Sequence, residues 1–244
     1  MSFNDLDFTN KVLYFIHIPK TSGSAFESKQ IIKLGHRFNV PNLYRTPKDK
    51  RGFHEYITDK WSLYTYPRKN HYKITIIRNP FDLLCSYYHH GEKLKLDGSY
   101  SHSGWASVNY THQFKTFKEF ITAYCDPSFT WHMPAFKNFL FSQLFNINSN
   151  CIVDIIIKYE YRDEAIDMLN IKLTHKINKN IRRNVSNKEN YKKYYDQEMI
   201  DLVYKKCDRE LKYFNYDFNG STKYEPLIIN PTIKYDVYNN KIIE

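Results

Sequence analysis

Short apolar runs, each broken by proline, glycine or a polar cluster, alternate along this chain with stretches of helical periodicity. Residues 12–18 are apolar and rich in β-branched and aromatic side chains, which predicts a buried strand ending at Pro19. The polar segment Lys20-Thr21-Ser22-Gly23-Ser24 follows, and residues 25–34 carry apolar side chains at helical spacing until Gly35, predicting strand, loop and helix in succession. A short strand is expected around residues 38–40. Residues 73–77 repeat the strand pattern, Arg78-Asn79-Pro80 breaks it, and residues 81–89 have helical periodicity. Asp82 falls in the first turn, where a negative charge suits the macrodipole.

Farther along, residues 92–113 hold Gly98, Gly104 and many Ser and His without a steady period, the pattern of a long functional surface loop. Helices are predicted over 116–124 and 134–145, a third buried strand over 152–157, and another helix over 163–169. Ile200, Val203, Cys207, Leu211 and Phe214 recur at steps of three and four and mark a final helix with a narrow apolar face. Strands alternating with helices predict an α/β fold: a three-layer arrangement with a largely parallel central sheet, helices on both faces, and P-loop-like strand-loop-helix phosphate sites. The reading is one domain over residues 1–220, with 221–244 as a tail containing strand-like pieces.

Composition narrows the classes. A hydrophobic fraction of 42% with 25% charged residues belongs to a chain that buries a core, not to a disordered one. Lys and Arg number 36 against 26 Asp and Glu, a net charge of +10 that favours anionic partners such as phosphates, sulfated glycans or nucleic acid. Cys85, Cys125, Cys151 and Cys207 form no CxxC pair, which argues against a zinc or redox motif, and Cys151 and Cys207 are expected in the core. The polar N-terminus lacks the pattern of a signal peptide, and no apolar run reaches the ~18 residues of a membrane span. A cytoplasmic location is the expectation.

Ligands of open parallel sheets sit at the carboxyl ends of strands, so the segments after the first two strands are the places to look for chemistry. Lys20-Thr21-Ser22-Gly23-Ser24 offers an ammonium, hydroxyls and backbone N–H groups to an anion at a helix start. Gly23 allows close approach of the backbone. The nucleotide P-loop pattern GxxxxGK[ST] is absent, because here the lysine precedes the glycine. An Arg at a strand end and a Ser two helical turns later, as with Arg78 and Ser86, can converge on one phosphate by a bidentate contact and a further donor, while Arg78 read alone is equally an ion-pair partner.

Ile16-His17-Ile18-Pro19-Lys20-Thr21-Ser22-Gly23-Ser24-Ala25-Phe26 resembles the 5'-phosphosulfate loop of the carbohydrate sulfotransferases, of the heparan sulfate 2-O- and 6-O-sulfotransferase type. Those enzymes use 3'-phosphoadenosine 5'-phosphosulfate (PAPS). Arg78-Asn79-Pro80-Phe81 through Ser86 is similar to the 3'-phosphate segment of the same family, although Leu84 stands where the family often has an Arg. Residues 153–160, ending in Tyr159-Glu160, and residues 178–217 resemble its third strand and its C-terminal portion.

The resemblance implies sulfonate transfer from PAPS to an acceptor hydroxyl, with a glycan as the acceptor and 3'-phosphoadenosine 5'-phosphate (PAP) as the product. It implies Lys20 on the leaving phosphate oxygen, the segment from Thr21 through Phe26 around the 5' side, and Arg78 with Ser86 on the 3'-phosphate. It also implies Arg182, Arg183 and Ser186 as further cofactor contacts, His54 as the base, and no requirement for a metal. A neutral imidazole near its reference pKa suits that base role. His17 is expected in the core, and His89, His90 and His132 are candidates for the acceptor side. Two other readings stay open: a nucleotide-dependent phosphotransferase or kinase, and a non-enzymatic basic module that binds nucleic acid or sulfated glycan.

Overall fold

The computed structural model describes residues 2–9, 12–16, 18, 20–21, 31–34, 71–96, 113–129, 144, 151, 153–173, 176–180, 190–232, 234–236 and 241–243. The chain divides into two compact units, one of residues Met1–Ile77, Leu140–Arg183 and Glu225–Glu244, the other of Arg78–Phe139 and Asn184–Tyr224. The fold is mixed α/β.

The first unit is built on a sheet of β1 (Val12–Ile16), β2 (Ile31–Leu34), β3 (His71–Ile77), β4 (Ile155–Lys158) and β7 (Leu227–Ile229), in the order β2-β1-β3-β4-β7. β1 lies parallel to both β2 and β3, and β3 lies parallel to β4; only β7, on β4, runs antiparallel. Side chains alternate across a strand. Leu13 and Phe15, Ile74 and Ile76, and Ile155 and Ile157 therefore share one face, where they form a core with Ala165, Ile166 and Leu169 of the helix Arg162–Lys172. The alternate residues Ile16, Thr75, Ile77, Ile156 and Lys158 are buried too. Burial on both faces is why β1 and Ile155–Ile157 read as unbroken apolar runs, whereas β3 carries Lys73 and Thr75 among its apolar residues. Thr75 meets the requirement of a buried hydroxyl by donating from Oγ1 to the Ile16 carbonyl at 2.8 Å.

β2 corrects an expectation. Residues 31–34 end the stretch whose spacing predicts a helix, yet they form a strand in register with β1, Leu13 opposite Ile31 and Ile16 opposite Leu34. Ile31 and Ile32 are consecutive β-branched residues, and pairing along β1 satisfies their backbone, which outweighs a helical spacing shared by few side chains. Residues beyond 220, expected as a tail, supply β7 to this sheet and the hairpin β8 (Lys234–Asp236) with β9 (Lys241–Ile243). Lys158, fully buried at the end of β4, is paired at 3.4 Å with Glu225 just ahead of β7. The strand of residues 38–40 and the helix of 134–145 fall outside the described residues, apart from Leu144.

With the helix Arg162–Lys172 taken as α3, the described α-helices of the second unit are α1 (Pro80–Leu96), α2 (Phe117–Cys125) and α4 (Gln197–Tyr213), the last followed by the short hairpin of β5 (Tyr216–Asp217) and β6 (Gly220–Ser221). α1 continues through Gly91 into the stretch expected as loop. Thr116 caps α2 reciprocally: its hydroxyl accepts from Glu119 N, and Glu119 accepts from Thr116 N. Asp196 caps α4 by accepting from Met199 N at 2.9 Å. Met199, Val203, Cys207 and Leu211, at four-residue steps, are the buried stripe of α4. Phe81 is fully buried and meets Tyr195, Tyr204 and Phe218 edge-on, while Tyr195 donates its hydroxyl to the Phe81 carbonyl at 2.9 Å. Among the described residues no helix is long and apolar enough to cross a membrane.

Candidate functional site

The sheet order reverses direction between β1 and β3: from β1 the chain steps to β2 on one side, then returns to β3 on the other. Neighbouring parallel strands whose connections leave in opposite directions leave a crevice at their carboxyl ends, the place where open α/β sheets take ligands. Lys20 and Thr21 follow β1, and Arg78 directly follows the last residue of β3. The two turns are built differently.

After β1 the turn combines an unusual backbone conformation with one side-chain hydrogen bond. Ile18 is buried, and Lys20 takes a left-handed backbone conformation with φ 63°. That region costs a residue bearing a β-carbon about 1–2 kcal/mol. The surrounding structure must therefore impose it, and strain of this kind concentrates at ligand sites. Thr21 is fully buried and donates from Oγ1 to the Ile18 carbonyl at 2.7 Å, closing the turn from within. Lys20 is half-buried. The rest of the expected 5'-phosphosulfate loop, Ser22, Gly23, Ser24, Ala25 and Phe26, lies outside the described residues.

After β3 the side chains carry the turn. Asn79, 1% exposed, caps α1: its Oδ1 accepts from Phe81 N at 3.0 Å, its carbonyl accepts from Leu83 N at 2.9 Å, and Pro80 takes the first helical position. The same amide donates from Nδ2 to the Asp217 carbonyl at 2.7 Å and, more weakly, to that of Gly220 at 3.4 Å. This ties the helix start to the β5–β6 hairpin. Gly220, at φ 139°, adopts a backbone conformation that only glycine takes without strain, while Asp217 Oδ1 receives the N–H of Asn219 and of Gly220.

Arg78 is buried, and its Nε and Nη2 both meet Asp82 Oδ2 at 2.6 Å. Ser86 is buried one helical turn beyond Asp82, so Asp82 and Ser86 share a helix face. Burial pushes the neighbouring Tyr87 phenol far above its ordinary range, and the Arg78 guanidinium pulls it back. Asp82 is the residue that sequence reasoning missed. Its spacing of four from Arg78 was the available signal, but an acidic residue in a first turn has an ordinary explanation in the macrodipole.

Lys158, next to the Tyr159-Glu160 pair at the end of β4, is committed to Glu225. His89 packs among aromatic rings, 4.3 Å from Tyr194 centroid to centroid, and stacks on Phe117. Cys207 is a core residue; Cys151 is half-buried, and burial pushes its thiol up to about 11. His17, His54, His132, Arg182, Arg183 and Ser186 lie outside the described residues. Among the described residues no group of His, Cys, Asp and Glu is arranged to hold a metal ion. No protein family, curated protein or solved structure matches the chain.

Proposed function

We propose that this protein transfers a sulfonate group from PAPS to an acceptor hydroxyl, with a sugar as the acceptor. The observation that supports it is the pair of anion-suited turns that follow neighbouring parallel strands at the reversal of sheet order, with Lys20 after β1 and Arg78 after β3. In this reading the bond between sulfur and the bridging oxygen of the 5'-phosphate breaks as a bond from sulfur to the acceptor oxygen forms. The hydroxyl proton goes to His54, and PAP leaves.

Lys20, with the N–H groups of the segment through Phe26, neutralises charge growing on the leaving oxygen, where preorganised donors do most for a transferred group. Arg78 and Ser86 hold the 3'-phosphate, the feature that separates PAPS from ATP. Arg182, Arg183 and Ser186 are assigned to the same nucleotide. The three-layer arrangement, with helices on both faces of the sheet, belongs to this proposal as well.

A phosphotransferase would share the strand-turn-helix plan, so the test sets the two against each other. PAP is expected to raise the thermal midpoint, because a ligand that binds only the native state stabilises it, while ATP with magnesium is expected to leave it unchanged. Labelled PAPS offered with a panel of sugars should yield a sulfated product. Stabilisation by ATP with magnesium alone, and no transfer from PAPS, would overturn the proposal.

A further inference from the structure

Arg78 stands outside the helix that follows it. Asn79 is the cap and Pro80 the first helical residue, so nothing in the helical backbone fixes the direction of the Arg78 side chain. Asp82 does so. Its Oδ2 takes the Nε and Nη2 hydrogens together, holding the guanidinium along one edge. The guanidinium is a rigid planar fork, so a grip on one edge sets the direction of every other N–H. The Asp82 side chain is 16% exposed and that of Arg78 is 9% exposed. At that burial the carboxylate also compensates a cation that would be costly to bury alone.

We infer that Asp82 is the positioning residue of the anion site, aiming Arg78 at a phosphate monoester on the ribose of the nucleotide; this rests on the 3'-phosphate reading given under Proposed function. Asp82 touches no ligand in this scheme. It acts through Arg78 and trades some repulsion toward the phosphate for a side chain already ordered before the ligand arrives. The ordering term wins because a long, flexible arginine otherwise has to be immobilised on binding.

The test measures PAP and adenosine 5'-monophosphate, which differ only in the 3'-phosphate, by calorimetry on the full chain. In the unsubstituted protein PAP is expected to bind at least about 30-fold more tightly, the range of charge-assisted hydrogen bonds. Asp82→Ala should cut that ratio about tenfold while leaving the monophosphate affinity alone. Asp82→Asn keeps an acceptor oxygen of the same shape and should cut the ratio only about threefold, since hydrogen bonds to charged groups are roughly twice as strong as neutral ones. In an Arg78→Ala background Asp82→Ala should change nothing further, as a double-mutant cycle requires of a residue acting through another.

An unchanged or increased ratio in Asp82→Ala overturns the inference, as does an equal fall in the Arg78→Ala background. Should Asp82→Ala not fold, the isosteric Asp82→Asn carries the same comparison, and an unchanged ratio there overturns it. A ratio near one in the unsubstituted protein overturns the 3'-phosphate reading itself and is recognised before any variant is made.

Discussion

The turn after β1 and the turn after β3 solve one problem, presenting a cation at a strand end, by different means. Among the described residues after β1 are a left-handed Lys20 and a Thr21 hydroxyl bonded to the Ile18 carbonyl. After β3 the work is distributed: Asn79 reaches Asp217 and Gly220 far along the chain, and Arg78 is gripped by Asp82. A distributed turn makes the cation's placement depend on a whole unit being assembled.

The sharpest test separates side chain from backbone at Lys20. Lys20→Ala is expected to lower sulfonate transfer about 100-fold or more, the usual cost of removing a donor that stabilises a developing oxyanion, with PAP affinity changed only a few-fold. Lys20→Gly should lose the same activity yet be about 1 kcal/mol more stable than Lys20→Ala, because glycine accepts the left-handed conformation without penalty. Steady-state kinetics and denaturant melts read both. Equal stability of the two variants would mean that the turn after β1 is not strained.

Asn79→Ala comes next. It removes a helix cap and the bonds to the hairpin, and is expected to cost about 2 kcal/mol in denaturant unfolding. A cost of a few tenths would show that the turn after β3 is not distributed. Thr21→Val should cost less, about 1 kcal/mol, since it deletes one buried hydrogen bond while keeping the shape.

The smallest effect contrasts two carboxylates at helix starts, Asp82 at 16% exposure and Asp196 at 48%. The Met199 N–H, and then Lys118, hold the Asp196 carboxyl below its ordinary range. A carboxyl with a lowered folded-state pKa stabilises the protein above its unfolded value and loses that contribution as pH falls through the folded one. Asp196→Asn should therefore flatten the decline in stability below about pH 4. An unchanged slope in melts taken across that range would remove Asp196 from the account.

Much of the sheet was legible in the sequence because β1 and β4 leave apolar runs and β3 sets Ile74, Ile76 and Ile77 close to a proline break. β2 was not, since Ile31, Ile32 and Leu34 fit a helix by spacing, and only the neighbouring strand decides between the two. The end of α1 was missed because Gly91 and the polar residues after it lack an apolar period. Strand-like pieces were legible after residue 220, but the place of β7 in this sheet was not, because its partner lies far back in the chain. At the candidate site, motif and spacing point to Lys20, Thr21, Arg78 and Ser86. The conformation of Lys20, the double role of Asn79 and the grip of Asp82 depend on backbone angles and distant carbonyls that no local pattern encodes.

The antiparallel β7 also has a consequence for biosynthesis. A ribosome delivers β1, β2, β3 and β4 well before Leu227–Ile229, because α4 and the β5–β6 hairpin must be made first. Until β7 emerges, the outer edge of Ile155–Lys158 has no strand to pair with, and the ion pair of Lys158 with Glu225 is unmade. An apolar strand with an open edge is a template for pairing with other chains. A nascent chain whose Leu227–Ile229 has not yet left the ribosome is thus expected to need shielding by chaperones, whereas one that has released it can close its own sheet.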